Sequence, residues 1–173
     1  MQRIAVVTSG GDAPGMNAAV RALVRAAAAE QIEVVGVRDG FTGLLAGRFE
    51  PLDSRAVAGI LLRGGTILGS TRFPQFRERA TQKQAAARLR DAGIEGIAVI
   101  GGNGSQQGTL ALHRLGFPAV GIASTIDNDL AVTEATIGVD TALNTAVECI
   151  DRLKDTATSP TISAATPVAS RRG

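Results

Sequence analysis

Three times along this 173-residue chain a short apolar run halts at a polar loop, and that recurrence limits the folds open to it. Arg3–Thr8 is a β-branched run that ends in a glycine turn at Ser9-Gly10-Gly11. Gly96–Ile100 ends at Gly101-Gly102-Asn103-Gly104-Ser105, and Ala119–Ala123 ends at the loop Ser124–Asp129. Each run reads as a buried strand. Met16–Glu30 carries a helical pattern, with Asn17, Arg21 and Arg25 four residues apart on one face. Gln31–Val37 returns to strand. Arg38–Glu50, with its three glycines, reads as loop, and Asp53 is placed to cap a helix through Leu62. Arg63-Gly64-Gly65-Thr66 breaks that helix, and Gly69–Arg79 is polar and basic without a period. Further helices are predicted from Thr81 to Ala92, from the second glycine loop to Leu115, and from about Asp140 to Lys154. Strands alternating with helices across short loops imply parallel βαβ units with helices on both faces. The fold class is therefore α/β, a three-layer sandwich with a mainly parallel sheet.

Composition narrows the functional classes. At 45% hydrophobic the chain can bury a core, and its basic residues are scattered around a formal charge of only +2. A nucleic-acid footprint is not expected. The single cysteine, Cys149, can form no internal disulfide, as suits a reducing compartment. Polar residues from Thr8 onward interrupt any secretory pattern, and no run is long enough to span a bilayer. The expectation is a soluble cytoplasmic protein without membrane partners. From Thr156 to Gly173 the chain is Ser, Thr, Ala and Pro ending in Arg171-Arg172-Gly173, a composition that predicts disorder. His113, the only histidine, has no partner motif and reads as structural.

The three loops should stand at the carboxyl edge of the sheet, where open α/β sheets bind ligands. Glycines admit a phosphate close to the backbone, and a following helix offers unpaired N–H donors. Neither the dinucleotide fingerprint nor a Gly-Lys-Ser/Thr phosphate loop is present. The third loop, Thr125-Ile126-Asp127-Asn128-Asp129, adds two carboxylates. Each loop alone fits an ordinary turn. Together they supply what phosphoryl transfer needs: donors around phosphates, a base for the attacking hydroxyl and a carboxylate for magnesium.

Thr8–Asn17 (TSGGDAPGMN), Arg63–Thr66 with Arg72 and Phe73 (RGGT…RF), Gly101–Ser105 (GGNGS) and Thr125–Asp129 (TIDND) resemble, in order and spacing, the ATP-dependent 6-phosphofructokinases. The resemblance runs from residue 1 to about 158. It implies a Rossmann-like nucleotide-binding domain and transfer of the ATP γ-phosphoryl to the 1-hydroxyl of fructose 6-phosphate, a committed step of glycolysis. It implies that Asp127 is the general base, with Thr125 and Ile126 beside the sugar. The Gly11 backbone and Arg72 would face the terminal phosphate, while Phe73, Gly102, Asn103, Gly104 and Ser105 would surround the nucleotide. Asn103 and Asp129 would hold Mg²⁺. Arg21, Arg25 and Lys154 match positions that bind an allosteric nucleotide in bacterial members, and a homotetramer is implied. Gly104 stands where pyrophosphate-dependent relatives typically carry Asp, which favours ATP. Arg77 and Arg79 read equally well as phosphate-reaching or as surface.

Two departures stand against the pattern. Asn103 replaces an Asp, removing a charge from the metal site. After residue 158 the family continues with a Ser-His-x-Arg segment and a second domain, whereas here the chain reads Ser159-Pro160-Thr161 and then the low-complexity tail. The expectation is an ATP-binding domain over 1–158, a non-family tail over 159–173 and a truncated product without its sugar-phosphate domain. Three readings stay open: a 6-phosphofructokinase chain, an inactive nucleotide-binding fragment, and a pyrophosphate-dependent or other sugar kinase.

Overall fold

A computed structural model describes residues 1–131 and 133–157. Among the described residues twelve elements follow one another. They are β1 (Arg3–Ser9), α1 (Met16–Ala29), β2 (Glu33–Val37), α2 (Gly40–Ala46), β3 (Phe49–Pro51), a 3₁₀ turn (Pro74–Arg77), α3 (Arg79–Asp91), β4 (Gly96–Gly101), α4 (Asn103–Arg114), β5 (Ala119–Thr125), β6 (Ile137–Gly138) and α5 (Val139–Ala157).

The sheet order is β3-β2-β1-β4-β5-β6. All pairs are parallel except β2–β3, a short antiparallel edge. From β1 the chain moves outward to β2, and from β4 it moves the other way to β5. The strand order therefore reverses between β1 and β4, where Ser9 pairs with Gly101. A crevice opens at such a reversal, outside the carboxyl ends of the two strands.

Alternate side chains of β1 feed opposite layers. Ala5 and Val7 join Phe41 and Leu44 of α2, Ala85 and Leu89 of α3, and Leu112 of α4. Val6 joins Met16, Val20 and Val24 of α1, with Leu52, Val57, Ile60 and Leu68 from the irregular stretch after β3. This is the three-layer sandwich expected from the strand–loop–helix alternation.

Four local expectations are corrected. Residues 40–46 form α2 inside the region read as loop. Gly43 presses so closely on the Arg38 carbonyl that a Cβ there would overlap it, so packing rather than propensity decides. Phe49–Pro51 pairs as a strand. The helix expected over Asp53–Leu62 is absent. Asp53 does accept from the amides of Arg55 and Ala56, at 2.9 and 2.8 Å, but only turns follow, and Gly59 adopts a positive φ of 73°. Val57 and Ile60 are pulled into the core instead. Finally, β5 is not a buried strand: Val120 is 65% exposed, and only Ser124 along it is buried.

Candidate functional site

Each functional loop is fixed by the strand it leaves. After β1, the Gly10 amide donates to the Thr71 carbonyl at 3.2 Å, which draws the chain before Arg72 against the first glycine loop. After β4, the Ser105 hydroxyl donates to the Ser9 carbonyl at 3.0 Å, so the start of α4 is tied to the end of β1. A Cβ at Gly101 would strike that same carbonyl, which explains glycine there. The first intrahelical bond of α4 runs from the Gln106 amide to Gly102. The amides of Asn103, Gly104 and Ser105 precede it and carry the helix's unpaired donors.

The loop after β5 is built on its own hydrogen bonds. Thr136 donates its hydroxyl to the Thr125 carbonyl at 2.6 Å and its amide to Asn128 Oδ1 at 3.0 Å. Asn128 takes a positive φ of 49° and donates its amide group to the Glu134 carbonyl. The Asp127 amide donates to Thr125 Oγ1 at 3.2 Å. Asn128 spends its side chain on the loop's own backbone, and it, Asp127 and Asp129 are all exposed.

These loops share one cleft of about 980 Å³. Its walls include Gly11, Arg72, Phe73, Gly102, Asn103, Gly104, Ser105, Thr125, Ile126, Asp127 and Asp129, so the structure brings together every residue expected at the nucleotide, sugar or metal. Arg72 Nη2 lies 3.9 Å from where a Cβ on Gly11 would stand, and a Cβ on Gly104 would meet nothing within 4 Å. Ser105 is buried and its hydroxyl proton is spent on Ser9; what it offers the cleft is its helix-end amide.

The expected effector residues lie elsewhere. Arg21 and Arg25 sit on α1 and Lys154 on α5, and none of the three lines the cleft. Asn17 does not share their solvated face. It is 1% exposed and faces the chain after Gly59. His113 is exposed on α4, outside the cleft. The disorder and the non-family tail expected beyond residue 158 lie outside the described residues.

Arg77 and Arg79, ambiguous in the sequence, both line the cleft. Sequence reasoning missed Asp12 and Arg114, which also line it. Asp12 lay in view inside the first glycine loop. Arg114 gives no local signal, since it reaches the cleft only through the docking of α4. Among the described residues, no ion pair joins Arg72, Arg77, Arg79 or Arg114 to Asp12, Asp127 or Asp129. The arginines are thus available to anions, and the aspartates to cations or protons.

Among the described residues no three His, Cys, Asp or Glu side chains cluster as a metal cage. Magnesium in kinase sites is held by one or two carboxylates together with substrate phosphates and water. Asp127, Asp129 and the Asn103 amide, which line the same cleft, fit that donor set. Among the described residues no helix is long and apolar enough to cross a membrane.

The chain is similar to known proteins over most of its length. Residues 3–165 match the family described as PFK: Phosphofructokinase. The ATP-dependent 6-phosphofructokinase of Lysinibacillus sphaericus is 59% identical over 159 residues, covering 92% of this chain and 50% of the relative. That of Tolumonas auensis is 54% identical over the same shares. The chain spans about half the length of the curated relatives it matches. Among solved structures, the phosphofructokinase of Saccharomyces cerevisiae superposes with a TM-score of 0.84 at 37% identity, covering 91% of this chain and 24% of that one.

Proposed function

This chain belongs to the phosphofructokinase family, and from that premise we propose that it supplies the ATP-binding side of an ATP-dependent 6-phosphofructokinase acting in glycolysis. The observation that carries the reading is the meeting of Gly11, Gly104 and Asp127 in one cleft. An ATP polyphosphate lies along the α4 amides and the Gly11 backbone, and Arg72 balances the charge that develops on the transferred group. The Asp127 carboxylate takes the proton of the fructose 6-phosphate 1-hydroxyl as its oxygen bonds to the γ-phosphorus and ADP departs. Thr125 and Ile126 border the sugar. Mg²⁺, held by Asp129 and the Asn103 amide, would neutralise phosphate charge and hold the polyphosphate in one geometry. Open space at Gly104 favours ATP over pyrophosphate.

A second reading, nucleotide binding without turnover, draws support from the exposure of Asp127 and Asp129, because a base in water is poorly fixed on its substrate. Calorimetric titration with MgATP and an assay for fructose 1,6-bisphosphate separate the two. Saturable ATP binding, weakened at least tenfold by Gly104→Asp, is expected. Product formation lost about 10²- to 10⁴-fold in Asp127→Asn would establish the base. Binding without product selects the second reading, and no binding at millimolar ATP overturns both.

A further inference from the structure

We infer that Asn17 is a positioning residue that holds Arg72 against the first glycine loop, acting through a strap of irregular chain, residues 63–72. This rests on the functional reading above for what Arg72 does, but not for how it is held. The strap has little regular structure of its own, yet it carries the cleft's Arg72 at its end. Buried Leu68 anchors it in the core, and hydrogen bonds from β1 and its loop, from α1 and from the β2–α2 turn, where the Asp39 amide donates to the Leu68 carbonyl at 2.9 Å, set the rest of its course.

Asn17, buried in the first turn of α1, commits its whole amide to the strap's backbone. Its Nδ2 donates to the carbonyls of Arg63 and Gly64, at 2.9 and 3.2 Å, and its Oδ1 accepts from the Ile67 amide at 2.7 Å. Thr8, at the end of β1, takes the middle. Its hydroxyl donates to the Gly69 carbonyl at 2.8 Å, so its contact with the Thr66 hydroxyl at 2.9 Å must be one in which Thr66 donates. The far end is closed by the Gly10 amide on the Thr71 carbonyl, and by the Thr71 hydroxyl donating to the Asp39 carbonyl at 2.9 Å.

Asn17, Thr8 and Gly10 all belong to the β1–loop–α1 unit that also carries Gly11. Arg72 and the Gly11 backbone are therefore referenced to one rigid body, which keeps two phosphate contacts in register although the residues lie far apart in sequence. An apolar side chain at position 17 would take all three backbone bonds from the strap at once.

The test needs a local readout. Native-state hydrogen exchange is followed at Gly10 and Ile67, and at Ile94, whose amide bonds the Leu89 carbonyl at 2.9 Å in the core. In Asn17→Ala, exchange at Gly10 and Ile67 is expected to rise about tenfold or more while Ile94 stays near wild type. Equal acceleration at all three sites would mean a general loss of stability and would overturn the inference, as would no change. Should Asn17→Ala fold poorly, Asn17→Gln keeps both the donor and the acceptor on a longer stem. It is expected to loosen the strap to a smaller degree.

The second arm is a double-mutant cycle on MgATP affinity. Asn17→Ala and Arg72→Ala should each weaken binding, and the double variant should be no weaker than Arg72→Ala alone. Additive losses would show that Asn17 does not act through Arg72. A wild-type chain that binds no ATP defeats the functional reading only, and the exchange arm still decides the role of Asn17.

Discussion

Two adjacent strands of the sheet, β4 and β5, are supported differently. The first, β4, is buried along its whole length, and α3 and α4 cover it with Leu89 and Leu112, both 0% exposed. The second, β5, leaves Val120 in solvent. Beyond it α5 carries Leu143, Val147, Ile150 and Leu153, all more than half exposed. The glycine loops that would grip a polyphosphate stand on the first kind of support, and the Asp127 loop stands on the second. Phosphate-binding backbone must be held to a fraction of an ångström by packed elements. The Asp127 loop is held by side-chain hydrogen bonds through Asn128 and Thr136, with little apolar mass behind it.

The comparison is broken most directly at its strong end. Leu112→Ala should cost about 2–5 kcal/mol in urea unfolding, because the cavity it leaves is walled by α3, α4 and the sheet and cannot collapse. A loss under about 1 kcal/mol would show that the α3–α4 layer is no tighter than the β5 flank.

How much of this was legible in the sequence follows the same division. β1 and β4 were read closely because an unbroken run of small and β-branched residues has few other uses, and the glycine loops followed from them. The helix at residues 40–46 is hidden by Gly40, Gly43 and the capping Gly47, and at Gly43 low propensity is overridden by close packing on the Arg38 carbonyl. The false helix over 53–62 had a true cap in Asp53. What the sequence does not display is that Val57 and Ile60 gain more by entering the α1-side core than by continuing a helix. β5 was misread as buried because Ala119–Ala123 is as apolar as β4, and apolarity does not say which faces find a cover. In the site, the expected loops converged, but Arg114 was invisible because tertiary docking alone brings it there.

Magnesium sharpens the comparison, since its proposed holders lie on opposite supports: Asn103 on α4, Asp129 on the exposed loop. Asn103→Asp adds a carboxylate at the better-fixed wall, and its acceptor role toward Gln107 Nε2, 3.2 Å away, can persist. The Mg²⁺ concentration needed for half-maximal ATP binding is expected to fall several-fold, on the order of 1 kcal/mol, with an Asp129→Asn variant moving it the other way. An unchanged requirement in Asn103→Asp would assign the metal to the Asp129 side alone.

The smallest effect is expected at the weak end, and there smallness is the informative result. Leu143, Val147 and Ile150 recur at four- and three-residue spacing along α5, forming a stripe whose pattern alone would mark it as a core face. In a folded domain, a leucine 62% exposed has given up little of its water, so the transfer energy that makes Leu112 costly is largely missing here. The triple change Leu143→Gln, Val147→Gln and Ile150→Gln keeps good helix formers and removes only apolar surface. It should shift unfolding by no more than about 0.5 kcal/mol per site. A loss approaching that of Leu112→Ala would mean that the stripe is covered in solution and that the apparent asymmetry between the two strands reflects an incomplete neighbourhood. A loss within the expected bound, with the α4 amides and Gly11 still protected in exchange, would mean that the nucleotide wall holds its shape without the β5 flank.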